Sequence, residues 1–553
     1  MIFAQLVLAA ALFQAAPAQD GLSQYGLTQA GPQTLIIDQG RADRIQTPAL
    51  PSQPQAEPEK TAVHDHVLTR VDATGADRPI KGIRFDGARV PAAVAHAAEA
   101  FINQPANRHT LEQLANAMSG AYAKTDVALY TVAIPDQDLS GGTVRVQVAQ
   151  GFIEDIIYPD GASPLMRAFA DRLRAPHPLS RSAMERQLSL MRDVTGATVT
   201  AKLLRGRQVG GVILSLAIKR KRIDGSVSYD NSPSQLLGNG AFEGQLIGNS
   251  LIRDGDQTQI TAEVARDFHS FFYTGLSHST PLGADGLRLN LSGAYLQTRP
   301  ESIDLKGDAK TLGASLSYPL IRSYHRNLTL SGGLDGIDND SALYGAVLSS
   351  DHIRTARVAA GYSNLTDKTV FSLGATVSKG VALLGSRGTP GDSDPTFIKA
   401  NATFGYNRAV GKHVVFRLKA QGQYSQDLLP ATERFAFGGT DYGRAFDSAG
   451  ITSDRGAAAS LEVALRPKLP KRLTGSEVYG YVDYGRLRIL DRIGVPGGRY
   501  DLGSAGGGVR IAFTERATLG LEGAKAIKDP FNGELGDWRF NVSWKLSLHH
   551  NPA

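Results

Sequence analysis

The chain has 553 residues with 60 Gly, 26 Pro and no Cys, and its net charge of +6 is the difference between 59 basic and 53 acidic residues. The lack of Cys excludes disulfides, thiolate metal sites and a catalytic thiol, while 42% apolar and 20% charged residues exclude wholesale disorder. The longest apolar run, Leu6–Phe13, is too short for a membrane-spanning helix, which needs about 20 residues. A transmembrane β-barrel survives these exclusions because its strands need no such run.

Residues 1–18 are predicted to be a secretory signal peptide. The apolar stretch is followed by Ala16-Pro17-Ala18, a small-x-small cleavage pattern that would make Gln19 the first mature residue. Because no Lys or Arg precedes the apolar stretch, an apolar first helix of a cytoplasmic protein is the alternative. Export without Cys favours the envelope of a Gram-negative bacterium over a small disulfide-bonded secreted protein.

Residues 19–75 are interpreted as an N-terminal extension and a Pro-rich linker, since they show little hydrophobic periodicity. His64 and His66 are more simply solvated linker residues than metal ligands. Gly and Pro recur through residues 19–44, so we expect no continuous helix there, whereas a short helix near 40–46 is compatible with the sequence.

An α+β pattern occurs twice, in residues 76–151 and in residues 152–222. In each copy one strand is followed by two helices and then by two further strands. One apolar face of the second helix is formed by Leu111, Leu114, Ala115, Met118 and Tyr122. The predicted elements are strands 80–85, 127–134 and 143–148 with helices 90–103 and 110–123, then strands 152–157, 198–204 and 212–218 with helices 163–173 and 180–192.

From residue 223 onward the helical period gives way to short segments of dyad alternation, separated by Gly, Asn, Asp and Ser. Val414, Phe416 and Leu418 alternate with basic and amide side chains, as expected for a lipid-facing exterior and a polar lumen. The predicted fold class is therefore two α+β domains followed by a transmembrane antiparallel β-barrel of about 16 strands. The predicted strand starts are residues 223, 238, 257, 269, 286, 310, 325, 352, 367, 396, 412, 457, 476, 505, 516 and 538.

A soluble solenoid or sandwich array is the alternative interpretation of these strands. No fixed sequence period appears, which argues against a solenoid. The last segment, Trp538–Leu548, alternates with aromatic and aliphatic residues on one face and resembles the terminal strand of outer-membrane barrels. It differs from that pattern because the chain continues to Ala553.

The two α+β units resemble POTRA domains, and the order POTRA–POTRA–barrel resembles the two-partner-secretion transporters of the TpsB family. The stretch Ile134–Leu139, IPDQDL, with Gly142 after it, is very similar to the end of the family's first POTRA domain. In the second unit, Pro178-Leu179 and the helix sequence SAMERQLSLMRD match the family pattern. The resemblance covers essentially the whole chain after the linker.

The resemblance implies an outer-membrane pore, with POTRA 1 (76–151) and POTRA 2 (152–222) in the periplasm and the barrel in residues 223–553. Such a pore recognises an unfolded TpsA-type partner protein through its POTRA domains and translocates it to the cell surface, with activation of the partner as a further expectation. The resemblance also implies a monomer without cofactors that contacts outer-membrane lipids, is inserted by the barrel-assembly machinery and binds no nucleic acid. The candidate recognition residues in POTRA 1 are Ile134, Pro135, Gln137, Asp138 and Leu139.

The long loop Asp427–Gly456 follows the eleventh predicted strand. In the family, the loop at this position folds into the lumen with a V-R-G-aromatic motif at its tip, where this chain has Gly443-Arg444-Ala445-Phe446. The Arg and the aromatic residue match, while Val and Gly are replaced. The family partner of the Arg is an Asp in an F-x-D-x-G strand motif, which Tyr481–Gly485 matches with Tyr in place of Phe.

The resemblance therefore implies a loop-tip latch that consists of Arg444, Phe446 and Asp483. An Arg guanidinium can grip a carboxylate with two parallel hydrogen bonds, which suits a tether that is specific yet breakable. The alternative is that Arg444 is a solvated extracellular residue and Asp483 an ordinary carboxylate of the lumen wall.

Three remaining features bear on other classes of function. The basic run Lys219–Arg222 is interpreted as a periplasmic membrane-interface patch rather than a nucleic-acid patch. Gly506–Gly508 lies in a strand pattern and is more simply a kink or a close-packing site than a phosphate loop. Since no hydrolase, metalloprotease or paired-carboxylate motif occurs, no enzyme is expected. An outer-membrane assembly or insertion factor of the same superfamily and a passive porin are the alternative functions.

Overall fold

The chain divides into two compact units, one of Gln55–Arg220 with Arg322–Tyr324 and one of the remaining residues. The computed structural model describes residues 58–60, 77–232, 237–301, 304–447, 451–492, 497–513, 516–530 and 536–548. The predicted signal peptide, His64, His66 and the short helix near 40–46 lie outside these ranges. Within them, no helix is long and apolar enough to cross a membrane.

The first unit contains the predicted β-α-α-β-β order twice. In the first repeat, β2 (Gly82–Gly87) and β4 (Thr143–Gln150) are parallel, while β4 and β3 (Tyr130–Ala133) are antiparallel. The sheet order is therefore β2–β4–β3. The predicted apolar face of helix α2 (Arg108–Tyr122) is buried in one core with Ile80, Val94 and Val144, which confirms that pattern. The elements of this repeat are β2 (Gly82–Gly87), α1 (Ala92–Glu99), α2 (Arg108–Tyr122), β3 (Tyr130–Ala133) and β4 (Thr143–Gln150).

The second repeat has the same order with one additional strand. The additional strand is β1, the two-residue strand Glu59–Lys60 of the linker, which pairs parallel to β6 (Ala197–Arg205). With β5 (Phe152–Ile157) and β7 (Gly211–Arg220), the sheet order is β1–β6–β7–β5. A strand in the linker is not expected from the sequence; it forms because a sheet edge offers unpaired N–H and C=O groups to any extended segment nearby. The other elements are β5 (Phe152–Ile157), α3 (Pro164–Asp171), α4 (Arg181–Arg192), β6 (Ala197–Arg205) and β7 (Gly211–Arg220).

Three of these helices begin at side-chain caps. Asn107, Ser163 and Ser180 precede α2, α3 and α4, and each side chain accepts a hydrogen bond from the backbone N–H three residues later. A cap of this kind satisfies one of the unpaired N–H groups of the first turn.

Residues 127–129, which the sequence assigns to a strand, instead join the two repeats. The N–H of Ala128 donates to the carbonyl of Leu179 over 2.9 Å, and the N–H of Gly151 donates to the carbonyl of Leu129 over 2.7 Å. The N–H of Leu179 in turn donates to the carbonyl of Gly151 over 2.8 Å. Because these groups are used between the repeats, β3 begins only at Tyr130.

The second unit is a closed barrel of sixteen antiparallel strands, as predicted. The last strand pairs with the first, from Ser543 opposite Asp230 to Ser547 opposite Ser226. The barrel strands are β8 (Ile223–Asp230), β9 (Ala241–Asn249), β10 (Gln257–Ala265), β11 (Phe271–Pro281), β12 (Arg288–Thr298), β13 (Leu305–Arg322), β14 (Arg326–Leu343), β15 (Ala346–Leu365), β16 (Thr369–Gly380), β17 (Ile398–Val410), β18 (Val414–Ser425), β21 (Arg455–Leu465), β22 (Glu477–Ile489), β23 (Gly498–Phe513), β24 (Ala517–Lys528) and β25 (Trp538–Ser547).

Three strands, β13, β15 and β23, begin five to seven residues before their predicted starts at 310, 352 and 505. β13 and β15 have 18 and 20 residues, about twice the ~10 that cross a bilayer. Apolar residues need to alternate with polar ones only where a strand contacts lipid. The early parts of β13, β15 and β23 therefore lack the alternating pattern by which the sequence identifies a strand.

The long loop between β18 and β21 has structure of its own. We call residues 426–454 the lumen loop. It contains a 3₁₀ turn, Ala431–Glu433, and a two-stranded sheet of β19 (Phe435–Phe437) and β20 (Ile451–Ser453). A second 3₁₀ turn, Lys471–Leu473, lies between β21 and β22.

Candidate functional site

The site is built on the lumen face of β22, along which burial alternates at every residue. Val482 and Tyr484 are 43% and 42% exposed, whereas Asp483 between them is 1% exposed. In a closed membrane barrel, side chains that alternate with exposed apolar residues point into the lumen. Asp483 is therefore a carboxylate of the lumen wall, as the sequence predicts.

Two serines flank Asp483 in the strand register. Ser460 of β21 and Ser504 of β23 are its direct cross-strand partners, so the three side chains form one row across three strands. The hydroxyl of Ser504 donates to Oδ2 of Asp483 over 3.1 Å. This row presents one carboxylate between two hydroxyl groups to the lumen.

Arg444, at the tip of the lumen loop, docks on this row. Its Nε and Nη2 each donate to one oxygen of Asp483 over 3.2 Å, and Nη2 also donates to Oγ of Ser460 over 2.9 Å. The backbone N–H groups of Gly443 and Arg444 donate to Oδ2 of Asp483 over 3.1 and 3.2 Å. The predicted contact between Arg444 and Asp483 is present, and at 6% exposure Arg444 is not a solvated loop residue.

Two further carboxylates, Glu462 of β21 and Glu522 of β24, were not singled out from the sequence. Nη1 of Arg444 lies 3.1 Å from Oε2 of Glu462 and 3.4 Å from Oε2 of Glu522. Glu462 also pairs with Arg417 and Arg510, at 2.6 and 2.7 Å. Buried charges need such partners because each would otherwise carry a large desolvation cost. Within the described residues, no group of three or more His, Cys, Asp or Glu is arranged to hold a metal ion.

Aromatic rings support the cations of this network. Cζ of Arg444 lies 3.2 Å from the ring centroid of Tyr481, and Cζ of Arg510 lies 3.7 Å from that of Tyr479. The guanidinium plane over an aromatic face adds a cation–π attraction to the ion pairs. The first aromatic residue of the strand motif Tyr481–Gly485 is therefore part of the site.

The glycines of β23 provide the space for these two rings. Gly506 is the direct partner of Tyr481, and Gly508 is the direct partner of Tyr479. A Cβ atom at either glycine would lie 2.6 or 2.8 Å from the hydroxyl oxygen of the facing tyrosine. Of the two predicted roles for this glycine run, close packing is the one that the structure supports.

Phe437 of β19 connects the loop tip to the wall. Its ring centroid lies 5.8 Å from that of Phe446, and both side chains are buried. A Cβ at Gly443, whose φ is +72°, or at Gly485 would lie 2.4 Å from an edge of the same ring. The left-handed residue of the tip is thus Gly443, and Ala445, which stands where the family has Gly, has no positive φ.

The candidate recognition residues of POTRA 1 divide into a buried and a surface group. Ile134 and Leu139 belong to the core of the first repeat, and both are 0% exposed. Gln137 is also buried, where its amide nitrogen donates to the carbonyl of Arg145 over 2.8 Å and its oxygen accepts from the N–H of Arg145 over 2.7 Å. These three side chains are buried and hold the segment to β4, so they are not available at the surface for direct contact with a partner.

The surface members are Pro135, which is half-buried, and Asp138, which is exposed. The carboxylate of Asp138 accepts hydrogen bonds from the N–H and the hydroxyl of Ser140, over 2.8 and 2.9 Å. These bonds stabilise the charged form, so the pKa of Asp138 is lowered. Asp138 therefore presents a fixed negative charge beside the end of β3.

The sequence of this chain matches two known protein families. Residues 212–511 match the family described as Haemolysin secretion/activation protein ShlB/FhaC/HecB, and residues 78–151 match the POTRA domain of ShlB type. The chain is 24% identical over 378 residues to the outer membrane transporter CdiB of Dickeya dadantii, which covers 65% of this chain and 66% of the relative. It is 23% identical over 399 residues to the heme/hemopexin transporter protein HuxB of Haemophilus influenzae, with 67% and 68% covered.

Solved structures of transporters share the fold. The chain superposes on CdiB from Escherichia coli with a TM-score of 0.71 and 20% identity, covering 87% of this chain and 93% of that one. CdiB from Acinetobacter baumannii gives a TM-score of 0.61 and 18% identity, with 90% and 94% covered. The arrangement of an α+β unit before a sixteen-stranded barrel is therefore shared with these transporters.

Proposed function

Because the chain belongs to the ShlB/FhaC/HecB family of haemolysin secretion/activation proteins, we propose that it exports a partner protein by two-partner secretion. The barrel lies in the outer membrane and the POTRA repeats lie in the periplasm. The partner is a TpsA-type protein that arrives unfolded in the periplasm, crosses the barrel lumen and folds at the cell surface. The pore acts as a monomer in contact with outer-membrane lipids, after insertion by the barrel-assembly machinery.

One observation carries this proposal: the lumen holds a structured loop whose tip is bound by non-covalent contacts alone. Arg444 is held by Asp483, Glu462 and Glu522 through hydrogen bonds and ion pairs, with no covalent tie. Contacts of this kind can be exchanged for water or for a passing polypeptide, so the loop is a removable obstruction. A passive porin needs a permanently open lumen, and a removable loop instead suits a pore that opens for a substrate.

Capture of the partner is assigned to the first repeat. Strand β3 pairs with β4 on one side, and in the described part of the chain no strand pairs with its other side. An extended polypeptide can add to such an edge, with main-chain hydrogen bonds for affinity and neighbouring side chains for specificity. Pro135 and Asp138 lie two and five residues after the end of this strand, and we assign them contacts with the added segment.

The test is secretion of a candidate partner from a strain that lacks the chromosomal gene. If a neighbouring reading frame encodes a large exported protein, that protein is the candidate, and we expect it to appear in the medium only when the full-length chain is supplied. A chain without residues 77–151 that assembles in the membrane but exports nothing would support capture by the first repeat. An unchanged profile of secreted proteins after deletion of the gene would contradict two-partner secretion.

Two other outcomes would identify the alternative functions. Loss of several unrelated outer-membrane proteins on deletion would identify an assembly or insertion factor. Conductance across a lipid bilayer without any effect on secretion would identify a porin.

A further inference from the structure

The lumen loop makes a further set of charged contacts near its start, eleven residues before Arg444 at its tip. Glu433, in the 3₁₀ turn Ala431–Glu433, is 0% exposed. Its Oε1 lies 2.7 Å from Nη2 of Arg357 in β15, and its Oε2 lies 2.7 Å from Nζ of Lys399 in β17. Nothing in the sequence motifs of the loop tip points to this residue.

The wall presents a matching row to Glu433. Arg357 is the direct partner of Ser378, and Ser378 is the direct partner of Lys399, so the three residues form one row across β15, β16 and β17. Their exposures are 5%, 0% and 6%. A row of two cations around a hydroxyl thus faces the base of the loop, as a row of one carboxylate between two hydroxyls faces its tip.

The guanidinium of Arg357 makes five hydrogen bonds in this cluster. It donates to both oxygens of Asp335 over 2.5 and 3.1 Å, to both oxygens of Glu433 over 2.7 and 3.2 Å, and to Oγ of Ser378 over 2.9 Å. Two carboxylates and two cations make the cluster neutral. Because every member is buried, removal of one charge leaves another without compensation.

The backbone of Glu433 is held as well. Its carbonyl accepts hydrogen bonds from Nζ of Lys399 and from Nε2 of Gln423 in β18, each over 2.9 Å. Both the side chain and the main chain of one residue are therefore fixed to the wall at the base of the loop.

We propose that Glu433 is a second anchor of the lumen loop, independent of Arg444 and of opposite charge. The tip offers a cation to wall carboxylates on β21, β22 and β24, while the base offers a carboxylate to wall cations on β15 and β17. Release of the tip alone leaves the base of the loop in the lumen. Two more ion pairs, Asp441 with Lys419 and Asp447 with Arg539, hold the loop beside its tip. The pore opens fully only when the base is released together with this tip region, and Glu433 is a positioning residue for this step.

The experiment uses thiol labelling, since the chain has no native Cys to give a background. Ala445→Cys reports on the tip and Ala431→Cys on the base, because both alanines are buried in the docked loop. Each reporter is combined with Arg444→Ala, Glu433→Gln or both in the full-length protein in detergent. The rate of reaction with a maleimide is measured together with conductance in planar bilayers.

We expect Arg444→Ala to speed labelling at position 445 about tenfold or more, equivalent to ~1.4 kcal/mol of lost anchoring, with no such change at 431. Glu433→Gln should have the reverse pattern, and the double variant should label fast at both positions and conduct more than either single variant. Asp367→Asn, at an exposed turn, is the matched control and should change nothing. Independence of the anchors is overturned if Arg444→Ala alone exposes position 431 as fully as the double variant does.

A second variant separates loss of the anchor from loss of the fold. Glu433→Gln with Lys399→Met removes one charge of each sign and leaves Arg357 paired with Asp335. It should keep the heat-modifiable migration of a folded barrel on gels and still label fast at position 431. Slow labelling of this folded variant contradicts the proposal. The inference deepens the proposed export function, yet labelling and conductance need no partner protein, so they can fail or succeed independently of secretion.

Discussion

The ring of Phe437 lies against Gly485, where an added Cβ would come within 2.4 Å of the ring. Phe437 belongs to the lumen loop and Gly485 to β22, two residues after Asp483. The last residue of the strand motif Tyr481–Gly485 is therefore glycine because the loop must approach the wall closely beside the carboxylate. Contact between the loop and the wall depends on this missing side chain as well as on charge.

Gly485→Ala should therefore loosen the lumen loop without removing any charged group. Insertion of a methyl group into a packed site costs about 1–3 kcal/mol, which displaces Phe437 and with it the tip. We expect faster maleimide labelling of an Ala445→Cys reporter and reduced export. Gly244→Ala in β9, whose nearest atom would be 4.0 Å away, is the control and should leave both measurements unchanged.

Arg444→Ala should reduce export while the barrel still assembles. The change leaves Asp483 and its neighbouring carboxylates facing the lumen without their shared cation. Arg444→Lys should recover little, since one ammonium group cannot reproduce a planar fork that reaches three carboxylates. Secretion is compared at equal membrane levels and equal heat-modifiability, and unchanged secretion in both variants would show that the latch has no role in export.

Tyr481 should act through its ring face more than through its hydroxyl. Tyr481→Leu removes the surface under the Arg444 guanidinium, which costs about 0.5–2 kcal/mol of attraction. Tyr481→Phe keeps the face and loses only a 3.3 Å hydrogen bond to Glu522. We expect faster labelling at position 445 in the Leu variant than in the Phe variant; equal rates would mean that the cation–π contact is unimportant.

Gln137 should stabilise the end of POTRA 1 rather than bind the partner. Gln137→Ala leaves the N–H and the carbonyl of Arg145 without their side-chain partner, a loss of about 1–3 kcal/mol. The readout is hydrogen–deuterium exchange at the Arg145 amide, which should speed up in this variant and not in Asp136→Ala, an exposed neighbour. Protection at Arg145 that survives Gln137→Ala would contradict this structural role.

The turn at Asp138 should loosen only in acid. Its pKa is lowered by the hydrogen bonds from Ser140, so its contribution to stability is present above the unfolded pKa of about 3.9 and is lost as the pH falls through the lower, folded value. Exchange at the Ser140 amide, corrected for its intrinsic pH dependence, should be constant above about pH 5 and rise below the folded pKa. Asp138→Asn should abolish this transition, and a transition that persists would assign it to another group.

Much of the fold can be predicted from the sequence because its patterns are local. The buried face of α2, with Leu111 and Leu114, follows from helical spacing, and the number of barrel strands follows from dyad alternation. The early starts of β13, β15 and β23 could not be predicted, since strands that extend beyond the lipid need no apolar face. The two-residue strand Glu59–Lys60 has no pattern of its own and forms only because the edge of β6 is available.

Some residues of the site can also be predicted from a local sequence motif, whereas others come together only through the pairing of strands. Arg444 and Asp483 can be found because each lies in a short motif of the resembling family. Glu462 and Glu522 reach Arg444 only through the pairing of strands, over sequence separations of 18 and 78 residues. Glu433 has neither a motif nor a local pattern, so its role requires the folded barrel.

The row of Ser460, Asp483 and Ser504 makes loop docking a check on barrel assembly. A slip of β22 by one residue would turn Asp483 toward the lipid and place Val482 or Tyr484 in the lumen instead. Arg444 would then find no carboxylate at this position, however many hydrogen bonds the slipped sheet kept. The loop tip can therefore dock only when these three strands have paired in the native register. In a barrel with the wrong register, the loop tip would stay undocked and would not obstruct the lumen.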